Sequence, residues 1–183
     1  MRKLIIALSM LFAFSFAALA TDLVWEAESP TKGGSVFKSE SLTRDPSNKI
    51  SDNKVLSIPK VPKGEKPPTD EVTYTISVPS DGTYYLWARV RWSTGCGNSF
   101  LIGMSGVFTG NIIIGGDATY NSLHWVQLKD GNRAKKLSLK KGKQDITLAT
   151  KETGSAMCDQ FLLTTDANKK PSGILTATKS LVD

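Results

Sequence analysis

Apolar and polar residues alternate with a period of two through most of this chain. From Thr83 to Trp92 the even positions are Tyr84, Leu86, Ala88, Val90 and Trp92. The odd positions carry Thr83, Arg89 and Arg91, together with Tyr85 and Trp87. A period of two sends successive side chains to opposite faces of a strand, so the even set predicts a core face. Just upstream, Val72, Tyr74, Ile76 and Val78 alternate with Glu71, Thr73, Thr75 and Ser77. Pro79-Ser80-Asp81-Gly82 separates the two runs and reads as a turn. Similar patterns predict strands at 23–28, 54–58, 99–104, 123–128, 136–139, 145–149 and 160–164, with a hairpin-type turn at 140–143. Helical periodicity is nearly absent. Many short strands punctuated by turn signals predict an all-β sandwich or barrel.

The pattern breaks at three places. Met1-Arg2-Lys3 precedes an apolar run from Leu4 to Ala18, which closes on Ala18-Leu19-Ala20. A charged start, an apolar middle and a small-residue exit read as a signal peptide over 1–20, so the chain is expected to be secreted, periplasmic or extracellular. The run is short of the ~20 residues a spanning helix needs, and no later stretch is long enough, so no membrane span is expected. The Pro/Lys-rich segment 59–68 reads as an exposed loop. One domain is expected over 21–171, followed by a C-terminal tail over 172–183.

Charge and chemistry narrow the function. The formal net charge is +6, and loss of the leader removes two of those charges, Arg2 and Lys3. The remaining lysines are scattered, with no basic run interleaved with aromatics, which argues against a nucleic-acid partner. The single histidine, His124, lies in a predicted strand, no serine sits in a nucleophile elbow, and no His/Cys cluster has metal-ligand spacing. Catalytic residues are therefore not expected. Two cysteines, Cys96 and Cys158, in an exported chain predict one disulfide, with two buried free thiols as the alternative. Glu26 and Glu28, two apart in a strand, share a face. Such a pair either flanks a hard cation such as calcium or pairs with lysines on an exposed face.

Several segments, in order, carry a resemblance. They are Trp25-Glu26-Ala27-Glu28, then Gly82-x-Tyr84-Tyr85-Leu86-Trp87-Ala88-Arg89-Val90 and Gly97-Asn98-Ser99-Phe100. Trp125-x-x-Leu128, Lys151-Glu152-x-Gly154 and Asp159-Gln160-Phe161-Leu162-Leu163-Thr164 follow. In this order the chain resembles non-catalytic carbohydrate-binding modules related to families 6 and 35, over roughly 23–171. The resemblance implies a jelly-roll β-sandwich of galactose-binding-like architecture. It also implies a structural calcium held by Glu26, Glu28 and Asp159, and a polysaccharide or oligosaccharide partner. A separate carbohydrate-active enzyme would be a further partner.

Related modules bind sugar in loops at one edge of the sandwich, or on the concave sheet face. Here Tyr120 is the nearest loop aromatic before Trp125, and the segment before Asp159 carries Met157 and Cys158 where an Asn is expected. The other candidates are Trp92, Asn98, Arg91 and Asp117. Trp92 is open between ligand and core, because it continues the inward set. Trp25, Trp87 and Trp125 read as structural. Secreted structural or adhesive protein, with the sandwich but no sugar site, is the alternative function.

Overall fold

The computed structural model describes residues 20–41, 49–58, 70–105, 112–150, 152 and 155–182. The leader apart from Ala20, and the whole 59–68 loop, lie outside them. No helix among the described residues is long and apolar enough to cross a membrane. The strands are β1 (Asp22–Glu26), β2 (Lys32–Gly33), β3 (Lys38–Ser41), β4 (Lys54–Ile58), β5 (Glu71–Val78), β6 (Gly82–Trp92), β7 (Ser99–Met104), β8 (Ile113–Gly115), β9 (His124–Gln127), β10 (Lys129–Asp130), β11 (Arg133–Ala134), β12 (Leu137–Leu139), β13 (Gly142–Ala149) and β14 (Ala156–Thr164). The only helical piece among the described residues is the 3-10 turn Ser51–Asn53. The long strands sit where the alternation predicts them. The short pieces β2, β3, β8, β10 and β11 are too brief to show a period.

Two antiparallel sheets result. One runs β12-β6-β14-β4-β3, with β9 also pairing β6 and β1 also pairing β14. The other runs β11-β10-β8-β7-β13-β5-β2. Their inner faces meet in one apolar core. Tyr84, Leu86, Ala88, Val90 and Trp92, the even face of β6, are all fully buried. At one end of the core Trp25 stacks on Phe161 at 5.3 Å, and Tyr74 tilts against Phe161 at 5.2 Å. The Tyr74 hydroxyl donates to the carbonyl of Ala27 at 2.5 Å, whereas the Trp25 ring nitrogen in the same cluster is buried without a partner. At the other end Trp92 tilts against Phe100 at 5.4 Å.

β14 carries a bulge between Cys158 and Gln160. Before it, Cys158 faces Val90 of β6; after it, Gln160 faces Arg89 and Phe161 faces Ala88. An unbroken period of two would put Asp159 on the same face as Phe161 and Leu163, in the core. The extra residue shifts the phase, so that Cys158, Phe161 and Leu163 all point inward and Asp159 is freed to meet Arg89.

The bulge also settles the cysteines. Cys158 is fully buried within the core, whereas Cys96 is exposed in the loop after β6. Both are free thiols, which corrects the expected disulfide. The inward phase of β14 buries one sulfur, and the loop holds the other out in solvent.

The segment expected as a tail packs along the sandwich. The Thr178 amide donates to the Val24 carbonyl at 2.8 Å, and the Val24 amide donates to the Thr178 hydroxyl at 3.0 Å. Further on, the Ser77 amide donates to Ser180, the Val182 amide donates to Thr75, and Leu181 bridges Ile76. This strap therefore joins β1 of one sheet to β5 of the other.

Truncating Phe161 empties the centre of the aromatic cluster. We expect Phe161→Ala to lower unfolding stability by about 3–5 kcal/mol in chemical denaturation, with no compensation from repacking.

Candidate functional site

Three places on the sandwich hold chemistry. The first is a carboxylate cluster. Glu26 closes β1, Glu28 follows in the next turn, and Asp52 comes from the 3-10 turn, where it adopts a left-handed backbone (φ 48°). One oxygen from each of the three lies within 4.8 Å of the other two. Glu26 Oε1 accepts from the Ser51 hydroxyl and from the Gln160 amide, both at 2.8 Å. Glu26 Oε2 and Glu28 Oε2 are buried with no donor. Buried carboxylate oxygens without a partner are rare, because desolvation is not offset. Burial is the main reason the Glu26 carboxyl lies above its ordinary range, and it pushes Glu28 up to about 7. The neighbouring charges Asp159 and Asp52 add to both. An all-oxygen donor set with two orphaned oxygens fits a hard cation.

Asp159, expected as the third ligand, is engaged elsewhere. Its Oδ2 pairs with Arg89 at 2.5 Å, and its Oδ1 accepts from the Ser51 amide at 2.9 Å. Arg89 also donates to the Lys49 carbonyl at 2.9 Å. Burial raises the Asp159 carboxyl even though Arg89 opposes the shift. Asp159 thus holds the turn that presents Asp52. Gln160 completes the frame: its carboxamide also donates to the Leu175 carbonyl and accepts from the Leu175 amide. Neither Asp52, Gln160 nor Arg89 had a sequence signal as a site residue. Asp52 is an ordinary Asp in a polar loop, and the other two acquire their roles from the bulge.

The second place is the loop edge. Trp92 is 0 % exposed, packed on Phe100 and edge-on to His124, so it belongs to the core and is withdrawn as a ligand contact. Its even position in β6 is the reason. Tyr120 bridges Trp92 and is 39 % exposed. Asn98 and Asp117 are spent on the loop itself. The Asn98 carboxamide donates to the Asp117 carbonyl at 2.9 Å, and the Asp117 carboxylate meets the His124 ring at 3.0 Å and the Thr119 amide at 3.0 Å. Gly115 passes so close to this loop, at φ +122°, that a Cβ there would lie 2.2 Å from the Asn98 carbonyl oxygen. Arg91 is half-buried at the margin of a small cavity.

The third place is a groove of about 810 Å³ where β9 comes alongside β8 and the β10–β11 hairpin. Trp87 and Trp125, both half-buried, contribute to its walls, with Asp117, Gln127, Lys129 and Asn132 among the polar groups. Trp87 sits opposite Gln127 and Arg89 opposite Trp125, so the odd face of β6 and the outer face of β9 are continuous. The Trp125 ring nitrogen donates to the Gly173 carbonyl at 2.9 Å, which fixes that ring against the strap. Both tryptophans read as structural in the sequence. The missed signal is the odd, outward position of Trp87 in an otherwise clean alternation.

No protein-family model matches the chain, and no curated protein sequence does either. Solved structures match by fold. One is a family 35 carbohydrate-binding module from Clostridium thermocellum, 12 % identical, with a TM-score of 0.56 over 78 % of this chain and 97 % of that one. Another is the family 35 module of Cellvibrio japonicus Abf62, 11 % identical, with a TM-score of 0.53 over 78 % and 92 %. A third is an exo-β-1,3-galactanase from Phanerochaete chrysosporium, 16 % identical, with a TM-score of 0.55 over 78 % of this chain and 29 % of that enzyme. The all-β jelly-roll sandwich expected from the sequence is the fold these proteins share with this chain.

In chelator, the raised carboxyls set the pH response. Folded Glu28 keeps a proton up to about 7, whereas its ordinary value is 4.5, so the folded state binds more protons in between. Glu26 and Asp159 shift the same way. This contribution to stability is therefore lost as pH rises through that window. In melts from pH 4.5 to 7, Glu28→Gln should show less of this loss than the unaltered chain.

Proposed function

We propose that this chain is a secreted, non-catalytic carbohydrate-binding protein that holds a polysaccharide or oligosaccharide in the groove beside Trp87 and Trp125. The groove carries this reading. Its volume is within the range of small-molecule sites, and it combines indole surface with amide, carboxylate and ammonium groups. Sugars present apolar C–H faces and a rim of hydroxyls, which such a lining matches. The fold shared with two carbohydrate-binding modules supports it, as does the apolar run from Leu4 to Ala18 with its Ala18-Leu19-Ala20 exit for secretion. A carbohydrate-active enzyme is a fitting partner, since the similar region of the galactanase is a minor part of that enzyme.

Calcium is the second part of the proposal. Glu26, Glu28 and Asp52 would hold it, and Asp159 with Arg89 would fix the Ser51 turn beside it. The ion supplies positive charge to two orphaned carboxylate oxygens and ties the first strand to that turn. Its role is in folding.

A structural or adhesive protein without a sugar site is the second reading. It is favoured by the loop edge, where Trp92 is buried and Asn98 and Asp117 are consumed by local bonds.

The test is retention on insoluble polysaccharides and a glycan array, with and without chelator. Trp125→Ala and Trp87→Ala should each weaken binding by about tenfold or more. Retention of no glycan at any calcium level leaves the structural reading. Chelation should lower the melting temperature and added calcium restore it, by about 2.7 kcal/mol at a hundredfold excess over the dissociation constant. An unchanged melt would rule out the carboxylate cluster as a cation site.

A further inference from the structure

The scatter of lysines along the sequence breaks at one stretch. From Lys129 to Lys143 stand six lysines and one arginine against one carboxylate, Asp130. That stretch carries a formal +6, whereas residues 21–183 together carry +4, so the rest of them are net −2. The fold keeps these cations together. β11 is the last strand of one sheet and β12 the last of the other, and Lys135-Lys136 joins them. Both sheets therefore end on one side of the sandwich, and the cations line that margin. The β10–β11 hairpin forms one end of it. The turn into β13 forms the other, where Asp81 accepts from the Lys140 ammonium and the Lys141 amide, both at 2.8 Å. All seven cations except the half-buried Lys135 are exposed.

Two carboxylates pair with cations here, and each is taken by one lysine. Asp130 meets Lys135 and Asp81 meets Lys140, both at 2.8 Å. Lys129, Arg133, Lys136 and Lys141 have no carboxylate partner among the described residues. A cation on a strand edge can serve simply to keep other strands away. That role accounts for Arg133 and Lys136, which lie on or beside the edge strands. It does not account for Lys129, on a strand paired on both sides, or for Lys140 and Lys141 in a turn. Cations two apart on a strand lie about 7 Å from each other, within the ~8 Å screening length, so they repel. An excess held against that repulsion points to an anionic partner.

The same residues narrow its chemistry. Lys129 stands opposite Ala134 and Asp130 opposite Arg133, so Lys129 and Arg133 leave opposite faces of the hairpin. A flat lipid surface meets one such face at a time, whereas a flexible chain can follow both. The stretch holds no aromatic residue, so nucleic-acid bases have nothing to stack on. Six of the seven cations are lysines, point charges without the planar fork that matches a carboxylate. We propose that the β11–β12 margin binds a flexible polyanion bearing phosphate or sulfate groups. The inference stands without the sugar groove, although Lys129 and Lys135 border both.

The experiment measures binding to inorganic polyphosphate, dextran sulfate, phosphatidylglycerol vesicles and duplex DNA. The first two separate phosphate from sulfate as the source. With four unpaired cations engaged, wild-type affinity for the polymer should fall about fiftyfold between ~50 and ~200 mM salt. Combining Arg133→Gln, Lys136→Gln and Lys141→Gln should weaken binding more than tenfold at low salt and flatten the log–log salt slope by about two. A control with the same loss of charge replaces exposed lysines elsewhere, Lys32→Gln, Lys38→Gln and Lys170→Gln. It should bind within about twofold of the wild type. Equal weakening in both triple variants would overturn the inference, because net charge alone would then explain binding. No saturable binding of either polymer would overturn it too, as would tighter binding of vesicles or DNA. Trp125→Ala should leave polyphosphate binding unchanged, and a matching loss there would move the polymer to the groove and overturn the margin. The wild type alone covers a triple variant that fails to fold. Polyphosphate should give saturable backbone amide NMR shifts concentrated in 129–143, and shifts spread over the whole surface would overturn the site.

Discussion

The extra residue at Asp159 in β14 is the constraint on which the rest of the structure depends. β14 lies at the centre of its sheet, bonded to β6 on one side and to β1 and β4 on the other. With regular pleating the strand could turn inward Cys158 or Phe161 but never both, and the face with Phe161 would also carry Asp159 into the core. The shift of phase removes that conflict. It fills the core with Cys158, Phe161 and Leu163, and it turns the charged residue into the partner of Arg89. A buried ion pair of this kind contributes little net stability, but breaking it is expensive because one charge remains uncompensated. Its value here is positional.

From that position a polar frame spreads outward. Asp159 holds the Ser51 amide, Ser51 holds Glu26, and Gln160 holds Glu26 and Leu175. Residues far apart in the chain thus meet in one buried network, satisfied except at the carboxylate oxygens that face each other. Such a network is costly when one member lacks a partner. A cation at that point would complete the frame rather than decorate it. The groove is separate, built on the outer faces of β6 and β9, and two elements reach both regions: β6 through Arg89 and Trp87, and the strap through Gly173 and Leu175.

The sheets were legible in the sequence because burial writes itself as a period. β5, β6 and the apolar half of β14 could be read from alternation alone, whereas Trp92, which the alternation left open between core and ligand, needed the structure to place it in the core. Glu26 and Glu28 were legible as a pair from their spacing, although β1 ends at Glu26 and it is the following turn that brings Glu28 alongside. Asp52 was not, because its place depends on how a loop folds back from another part of the chain. Trp87 and Trp125 were visible as residues but not as a surface, since a groove depends on which strands become neighbours. The disulfide expectation failed for a related reason. Cysteine count and compartment speak to redox chemistry, whereas the side-chain phase of β14 decides whether two sulfurs can meet.

The C-terminal strap bears on how this molecule survives its own folding. It pairs with the outer margins of β1 and β5, strand edges that would otherwise offer unpaired amides and carbonyls to another chain. The contact that anchors it joins Val24 and Thr178, separated by 154 positions. Most of that span is already closed once Asp22 pairs with Thr164 across β1 and β14, so the strap docks on an edge that this pairing creates. The docked strap covers these two edges, and a chain whose strap is undocked leaves them open. Exposure of those two edges to misassembly therefore lasts until the strap docks.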